Sequence, residues 1–577
     1  GSYDFVNLQE LILWRVSGLE EIPPISGLTT LDIRGAHDLK RISVPAGIQR
    51  LIVEDCPDLD TIEIASDELN QLWDISLSGC KSIPGETFTR LLRKSPNLTK
   101  LDLSGIPTIE ELTDSLGNNL ERINLSNCDR LSSLRGRPRL EFVDLRGCSS
   151  LTQIEWGDTS YLKYGDLSLC RKLRSIAEIE KRVQDGSLQT LLLFGSGVLN
   201  PPASEHGEQL GDDVAKETAD FFQDKELSGK GRTNRCKLLL LGNGAAGKTE
   251  LAHRLCNRQR VDHSSTDNIQ FWTVDGFELG GDKKTDLHIW DFGGQEIYHS
   301  THRLFVSSGS IFFVVWDPEE KLSVDDGRYS IRYWLDYIYS VAPGFNPLVA
   351  IVCNDKRASN GAFRNVGSSE WLELNLKTKL SRQVGEKYFQ DIDNGRIGLF
   401  CSDLRNDHTD YGEQSNSDGD WPKIKGWVKT SISELYQVEG SEIPLFWQYG
   451  QEMVKPKLPN AIAPEVISNR NPQTKRTPTI GFDGFRQELS DLIASKISSQ
   501  AGELDTLRRN WSDGDFLTDE RTRRVLRYLT RTGYLYWDPR LYNEQVIIDQ
   551  AWALETVYRV LERDKGNGSP TPIRDAL

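Results

Sequence analysis

The chain has 577 residues, 37% hydrophobic and 27% charged, enough for several domains of about 100–200 residues each. Lys+Arg 69 against Asp+Glu 85 gives a net charge of −16, a poor balance for binding nucleic acid or an anionic membrane surface. No run approaches the ~18 apolar residues of a transmembrane helix, and Gly1–Phe5 shows no basic-then-apolar leader, so a cytoplasmic protein is expected. The nine cysteines form no C-x-x-C pair, which fits reduced thiols better than a disulfide framework or zinc site. The Gly1-Ser2 start and the single methionine, Met453, lead us to expect a processed piece of a longer protein.

From residue 8 the chain repeats L-x-x-L-x-L-x-x-(small or Cys), with units starting at Leu8, Leu28, Ile48, Leu72, Leu98, Leu120, Leu140, Leu162 and Leu188. Successive starts lie 20 to 26 residues apart, within the leucine-rich-repeat range. The L-x-L core predicts a short strand with both leucines facing inward, and the ninth position must fit a tight turn. Cys56, Cys80, Cys128, Cys148 and Cys170 all occupy that position, which makes them core residues rather than metal or redox groups. Stacked units make a curved array whose strand face is expected to take a protein partner, with Trp14, Arg34, Glu54, Trp73, Asp102, Asn124 and Asp144 as exposed candidates. Residues 198–235, with Pro201-Pro202 and several glycines, read as a linker holding one helix over Val214–Leu227.

From Cys236 apolar strand runs alternate with amphipathic helices, the pattern of an α/β domain with a mainly parallel sheet. Strands are expected at Cys236–Leu241, Asp286–Asp291, Ser310–Trp316, Leu348–Asn354 and Gly398–Ser402. Helices are expected at Lys248–Cys256, Gly327–Ser340, Ser368–Lys387 and Lys423–Tyr436. Between the first strand and the first helix lies GNGAAGKTE, which fits G-x-x-x-x-G-K-[ST] at Gly242, Gly247, Lys248 and Thr249. A nucleotide's phosphates need backbone N–H groups aimed at them, and Gly242, Asn243, Gly244, Ala245, Ala246 and Gly247 keep that approach nearly bare. The helix N-terminus adds its partial positive charge, with Glu250 in its first turn. Lys248 is expected to reach the β/γ-phosphates, and the Thr249 hydroxyl to ligate Mg²⁺.

Downstream, LHIWDFGGQEIYHSTHRLF runs from Leu287 to Phe305. A strand ending on Asp291 would place its carboxylate at Mg²⁺ through a water. Gly293 and Gly294 leave backbone free to touch a γ-phosphate, and Gln295 stands where a water-positioning residue belongs. This segment after a P-loop points to a Ras-like GTPase that binds GTP and GDP with Mg²⁺. Val261–Trp272 reads as a first switch segment, with Thr266 the threonine expected to close on Mg²⁺ and Thr273 the runner-up. A catalytic arginine is often added in such sites; Arg303 and Arg328 are near in sequence, with nothing to choose between them.

The base-reading segment departs from pattern. Small GTPases usually carry N-K-x-D after this strand; here it reads Asn354-Asp355-Lys356-Arg357, with Asn354 in place, Asp355 two positions early and Arg357 at the usual acidic position. The loop from Phe400 to Asn406 stands where the last small-residue loop contacts the base, with Cys401 and Ser402 as candidates.

Leucine-rich repeats followed by a Ras-like domain with W-D-F-G-G-Q-E resemble the Roco proteins, whose Roc GTPase domain is followed by a COR domain. Ser441–Gln451 (SEIPLFWQYGQ) is similar to the segment that opens COR. Phe516–Glu562 is similar to a COR pattern at Val525, Leu526, Leu529, Gly533, Tyr536, Val546–Asp549, Trp552, Tyr558 and Val560, and reads on its own residues as helix–strand–strand–helix. The resemblance divides the chain into a repeat solenoid at 1–197, a linker at 198–235, Roc at 236–438 and the N-terminal half of COR at 439–577. It implies a homodimer of the full-length protein through the second half of COR, and a monomer for this chain. Asn460–Thr479 reads as a mobile connection, and Asp407–Asp420 as a solvated acidic loop rather than a metal site.

Three functions follow from these residues. The first is a slow regulatory GTPase carried by Lys248, Thr249, Asp291 and Gln295. The second is a scaffold in which the repeat binds protein and the nucleotide domain is static. The third is an ATP-binding signalling NTPase, which the altered base motif keeps open.

Overall fold

A computed structural model describes residues 8–112, 116–136, 139–155, 159–202, 205–207, 209–232, 235–256, 270–280, 283–292, 310–317, 330–341, 347–355, 370, 372–374, 387–393, 395–404, 420–436, 442–457, 479–499, 504–511 and 515–549. It divides into two compact units, Gly1–Asp224 and Lys225–Leu577.

In the first unit a nine-stranded sheet is laid down in chain order, from Glu10–Trp14 to Thr190–Leu192. All its neighbours are parallel. Each repeat contributes one short strand because the L-x-L pair has period two: Leu31 and Ile33, Leu51 and Val53, and Val143 and Leu145 are all fully buried, while Asp32 and Asp144 between them are half-buried and Ile52 is covered. The ninth-position cysteines are buried as expected and also donate hydrogen bonds. The Sγ of Cys80, Cys128, Cys148 and Cys170 reaches the carbonyl of Val53, Leu103, Leu125 and Leu145 at 3.2, 3.1, 3.1 and 3.0 Å. Each of these carbonyls belongs to the sixth position of the preceding repeat, so a weak S–H donor ties one repeat to the next, which alanine or glycine could not do. Burial pushes the Cys128 thiol up to about 12, so it keeps the proton it donates. On the outward face Trp14 is 67% exposed. Arg34 bridges Asp32 and Glu54 at 2.8 and 3.0 Å.

In the second unit the strands are β1 (Arg235–Leu241), β2 (Gln270–Gly280), β3 (Lys283–Asp291), β4 (Ser310–Trp316), β5 (Leu348–Asn354) and β6 (Ile397–Ser402). They form one sheet in the order β2-β3-β1-β4-β5-β6, parallel except for β2. The described helices are α1 (Lys248–Leu255), α2 (Ile331–Val341), α3 (Lys387–Asp393) and α4 (Trp421–Tyr436). Alternate residues of β1 feed two cores. Leu239 and Leu241 pack with Trp334, Leu335 and Ile338 of α2. Cys236, Leu238 and Leu240 pack with Leu251 and Leu255 of α1 and with Ile424, Val428 and Ile432 of α4. A sheet covered on both faces explains why β4 and β5 are apolar throughout rather than alternating.

β2 covers part of the segment read as a switch loop: Phe-Trp-Thr-Val from Phe271 leads into an Asp275-Gly276 bulge, with Gly276 at φ +65°. The helix expected at Gly327–Ser340 begins later, at Ile331, with residues 318–329 outside the described set. The helix expected at Ser368–Lys387 is seen at 370 and 372–374, and α3 starts where it was expected to end.

The rest of this unit packs helices Leu445–Val454, Phe482–Ser499 and Asp519–Arg531 around Phe446, Trp447, Phe485, Leu489, Val525 and Leu529. Gly450 permits the close approach of two of these helices, since a Cβ there would lie 2.8 Å from Val525 Cγ1. Of the expected helix–strand–strand–helix tail, the first helix is present, Tyr536 bridges Ile547, and Val546–Ile547 pairs with Thr479–Ile480. Trp552, Tyr558 and Val560 lie outside the described residues, as do most of Asn460–Thr479 and of Asp407–Asp420. Within the segment read as a linker, Lys230–Arg232 forms a strand antiparallel to Glu442–Pro444. The linker helix runs over Ala215–Ser228, and the division between the two units falls inside it. No helix among the described residues is long and apolar enough to cross a membrane.

Candidate functional site

The P-loop leaves the C-terminal end of β1, and its conformation rests on two glycines. Gly242 sits at φ +136°, and a Cβ there would lie 2.2 Å from the Val315 carbonyl of β4. Gly247 sits at φ +102°, and a Cβ there would lie 2.3 Å from Asn354 Nδ2. Gly244 and Ala245 are exposed at the rim, and a Cβ on Gly244 would meet nothing within 4 Å. Lys248 opens α1, yet it is only 5% exposed. Its ammonium donates to the carbonyls of Gly242 and Asn243 at 2.9 and 2.7 Å, which holds its charge inside the loop's concavity. Glu250, in the first turn, is half-buried.

Asp291 ends β3 directly opposite Leu240 of β1, which brings it over the start of α1. Thr249 Oγ1 donates to Asp291 Oδ2 at 2.6 Å. The Asp291 carboxylate is fully buried and, among the described residues, its Oδ1 has no hydrogen-bond partner. Burial pushes its carboxyl up to about 6, against the opposing pull of Lys248 and the Thr249 hydroxyl. A buried carboxylate oxygen without a donor is costly. A hydroxyl and a carboxylate so placed, beside a loop made for phosphates, are the oxygen donors that Mg²⁺ uses alongside a nucleotide. These residues therefore fit the metal.

At the end of β5 Asn354 is 1% exposed and ties two loops together. Its Nδ2 donates to the Ala246 carbonyl at 3.0 Å, and its Oδ1 accepts from Leu404 N at 3.0 Å. Asp355 is fully buried, with its amide donating to the Ser402 carbonyl at 3.2 Å. Ser402 is fully buried at the start of the same loop.

Cys401 does not belong in the site. It is in register with Cys353 on β6, its side chain lies in the apolar core, and its amide donates to Asp420 Oδ2 at 2.9 Å. The strand ends at Ser402 as expected, and side-chain alternation along it turns this thiol away from the loop. Thr273 is also displaced. It pairs with His288, three residues and so about 10 Å along the strand from the Gln270–Asp291 pair at the site end. Thr266, Gly293, Gly294, Gln295, Arg303, Arg328, Lys356 and Arg357 lie outside the described residues. Arg254, whose Nη1 reaches the Asp403 carbonyl in the loop after β6, was not anticipated; a cation in the last turn of a helix carries no signal of its own.

Residues 237–356 match the family model described as Ras of Complex, Roc, domain of DAPkinase. A Roc-COR-CHAT protease of an unknown prokaryotic organism is 24% identical over 380 residues, 59% of this chain and 33% of that protein. Leucine-rich repeat serine/threonine-protein kinase 1 of Caenorhabditis elegans is 28% identical over 152 residues, 25% of this chain and 6% of that one. Ras-related protein Rab-5B of Plasmodium falciparum is 33% identical over 123 residues, 21% of this chain and 56% of the relative. The chain thus spans a third of the first of these proteins and a small part of the second. A solved structure of Methanosarcina barkeri Roco2 RocCORdC bound to GDP is 18% identical and covers 59% of this chain and 80% of its own, at a TM-score of 0.36.

Proposed function

We propose that this Roco-type chain, with its Roc region at residues 237–356, is a guanine-nucleotide switch. It binds GTP and GDP with Mg²⁺, hydrolyses GTP slowly, and couples the nucleotide state to a leucine-rich-repeat solenoid at 1–197 and to the first half of a COR domain at 439–577. The linker 198–235 joins the solenoid to Roc at 236–438. The observation that carries the reading is the Thr249–Asp291 pair beside a P-loop whose lysine is already drawn into the concavity.

In this reading the backbone of Gly242–Gly247 receives the phosphates, and Lys248 offsets their charge. Thr249 would supply a hydroxyl ligand to Mg²⁺, and Asp291 would hold the ion's hydration. The ion, when bound, neutralises charge on the β- and γ-phosphate oxygens. Asn354 fixes the P-loop against the Ser402–Leu404 loop, so that the phosphate and base halves of the site stay in register. Gln295 positions the attacking water, and Thr266 and Gly294 close on the γ-phosphate. Asp355, beside Asn354, is the acidic group nearest in sequence to the usual guanine-reading position. A protein partner occupies the outward strand face of the repeat, around Trp14, Arg34 and Glu54. The full-length protein pairs through the second half of COR.

The metal arm has a direct test. For the wild-type chain GTP affinity in Mg²⁺ is expected to exceed that in a chelator by about tenfold or more, the order of a lost charge-assisted contact. For Thr249→Ala and Asp291→Asn that ratio is expected to fall towards one. An unchanged ratio in both variants would remove these residues from the metal site. A static nucleotide holder is told apart by single-turnover phosphate release, which it lacks.

A further inference from the structure

The loop at Ser402–Leu404 leaves β6 and passes into residues 405–419; the chain returns at Asp420 and Trp421 to begin α4. Asp420 bolts the return to the strand: its amide donates to the Cys401 carbonyl at 3.0 Å, and its Oδ2 accepts from Cys401 N at 2.9 Å. One side chain reaches both feet of this excursion. Arg254, in the last turn of α1, is 7% exposed. Its Nη1 donates to the Asp403 carbonyl at 3.1 Å, and its guanidinium lies 4.9 Å from the centre of the Trp421 ring.

Burying a guanidinium is expensive unless it is hydrogen-bonded and faced by an aromatic ring or counter-charge. Here the same helix begins with the phosphate-directed Lys248 and ends with this arginine, so α1 connects the P-loop to the base-side loop through rigid backbone. Asn354 makes a second connection from the opposite side, through Leu404 N. The carbonyl of Asp403 and the amide of Leu404 are thereby fixed on adjacent residues by two different elements, β5 and α1.

We propose that Arg254 is a positioning residue for the loop that meets the nucleotide base, setting affinity for the nucleoside half of the ligand and not for its phosphates. This rests on the guanine-nucleotide reading above. It makes Arg254 a determinant of nucleotide retention although it touches neither phosphate nor metal.

The test compares two ligands, GDP and inorganic pyrophosphate, each with Mg²⁺, on the wild-type chain, Arg254→Ala and Arg254→Lys. In Arg254→Ala, GDP affinity is expected to fall by about tenfold, with a matching rise in dissociation rate, as for loss of one charge-assisted hydrogen bond and its ring contact. Pyrophosphate affinity is expected to stay unchanged. Arg254→Lys keeps the cation over Trp421 but not the planar donor fork, so an intermediate GDP affinity is expected; this variant gives the answer if the alanine variant does not fold. Unchanged GDP affinity, or an equal loss for both ligands, would overturn the assignment of Arg254. A wild-type chain that binds pyrophosphate but gains nothing from the guanosine of GDP would instead overturn the guanine reading itself.

Discussion

Lys248→Ala is expected to reduce nucleotide affinity by about a hundredfold or more, the roughly 3 kcal/mol of a buried charge-assisted contact to phosphate. The lysine is already committed to the site: its Nζ lies 2.9 and 2.7 Å from the Gly242 and Asn243 carbonyls, and only 5% of the residue is exposed. Nothing else in the described loop carries positive charge towards that concavity. The substitution also leaves two carbonyls without this donor, so some loss of stability accompanies the loss of binding. Calorimetric titration of GDP measures the first effect and thermal unfolding without ligand the second. Single-turnover release of phosphate from GTP should disappear in the same variant; release at the wild-type rate would mean that hydrolysis, if present, does not run through this loop.

Gly247→Ala is expected to be nearly as damaging, for a steric reason. At φ +102° an L side chain is strained by about 1–3 kcal/mol. The added Cβ would also lie 2.3 Å from Asn354 Nδ2 and 3.2 Å from its Cγ. Asn354 cannot retreat without giving up its bond to Ala246 or to Leu404, each contributing about 1 kcal/mol and both buried. The chain should therefore unfold at lower temperature and lose nucleotide together with the register between its two loops. Gly244→Ala is the control, because its Cβ meets nothing within 4 Å and its backbone needs no left-handed conformation. Equal unfolding temperatures for the two alanine variants would show that the Gly247–Asn354 contact is not a constraint.

Much of this site was legible in the sequence because its chemistry is local. Gly242 to Thr249 follow one another along a strand, a turn and a helix start, so pattern alone places them. Asp291 was legible as a strand end, since Leu287, Ile289 and Trp290 lead up to it. Less local features were not. The start of β2 was taken for switch loop, and the rest was given no strand, because a two-faced edge strand bearing Asp275 and Glu278 lacks the apolar run of its neighbours, and only pairing with β3 organises it. Cys401 was assigned to the base because a small residue beside a late loop looks available; side-chain alternation along β6 turns its thiol into the core. Arg254 is separated from Asp403 by 149 residues, and no spacing rule joins them. In the repeats, the leucine period predicted the buried strands, but not that the thiols of Cys80, Cys128, Cys148 and Cys170 would donate to the preceding repeat, since that bond is a property of the stack and not of one unit.

The central claim is that the site between the P-loop and Asn354 takes a guanine nucleotide despite Arg357 at the usual acidic position. Calorimetric titration of the whole chain with GDP and with ADP, both in Mg²⁺, tests it most directly. GDP is expected to bind more tightly by about tenfold or more, the least that one base-specific hydrogen bond in a buried site provides. ADP binding as tightly as GDP, or more tightly, would contradict it.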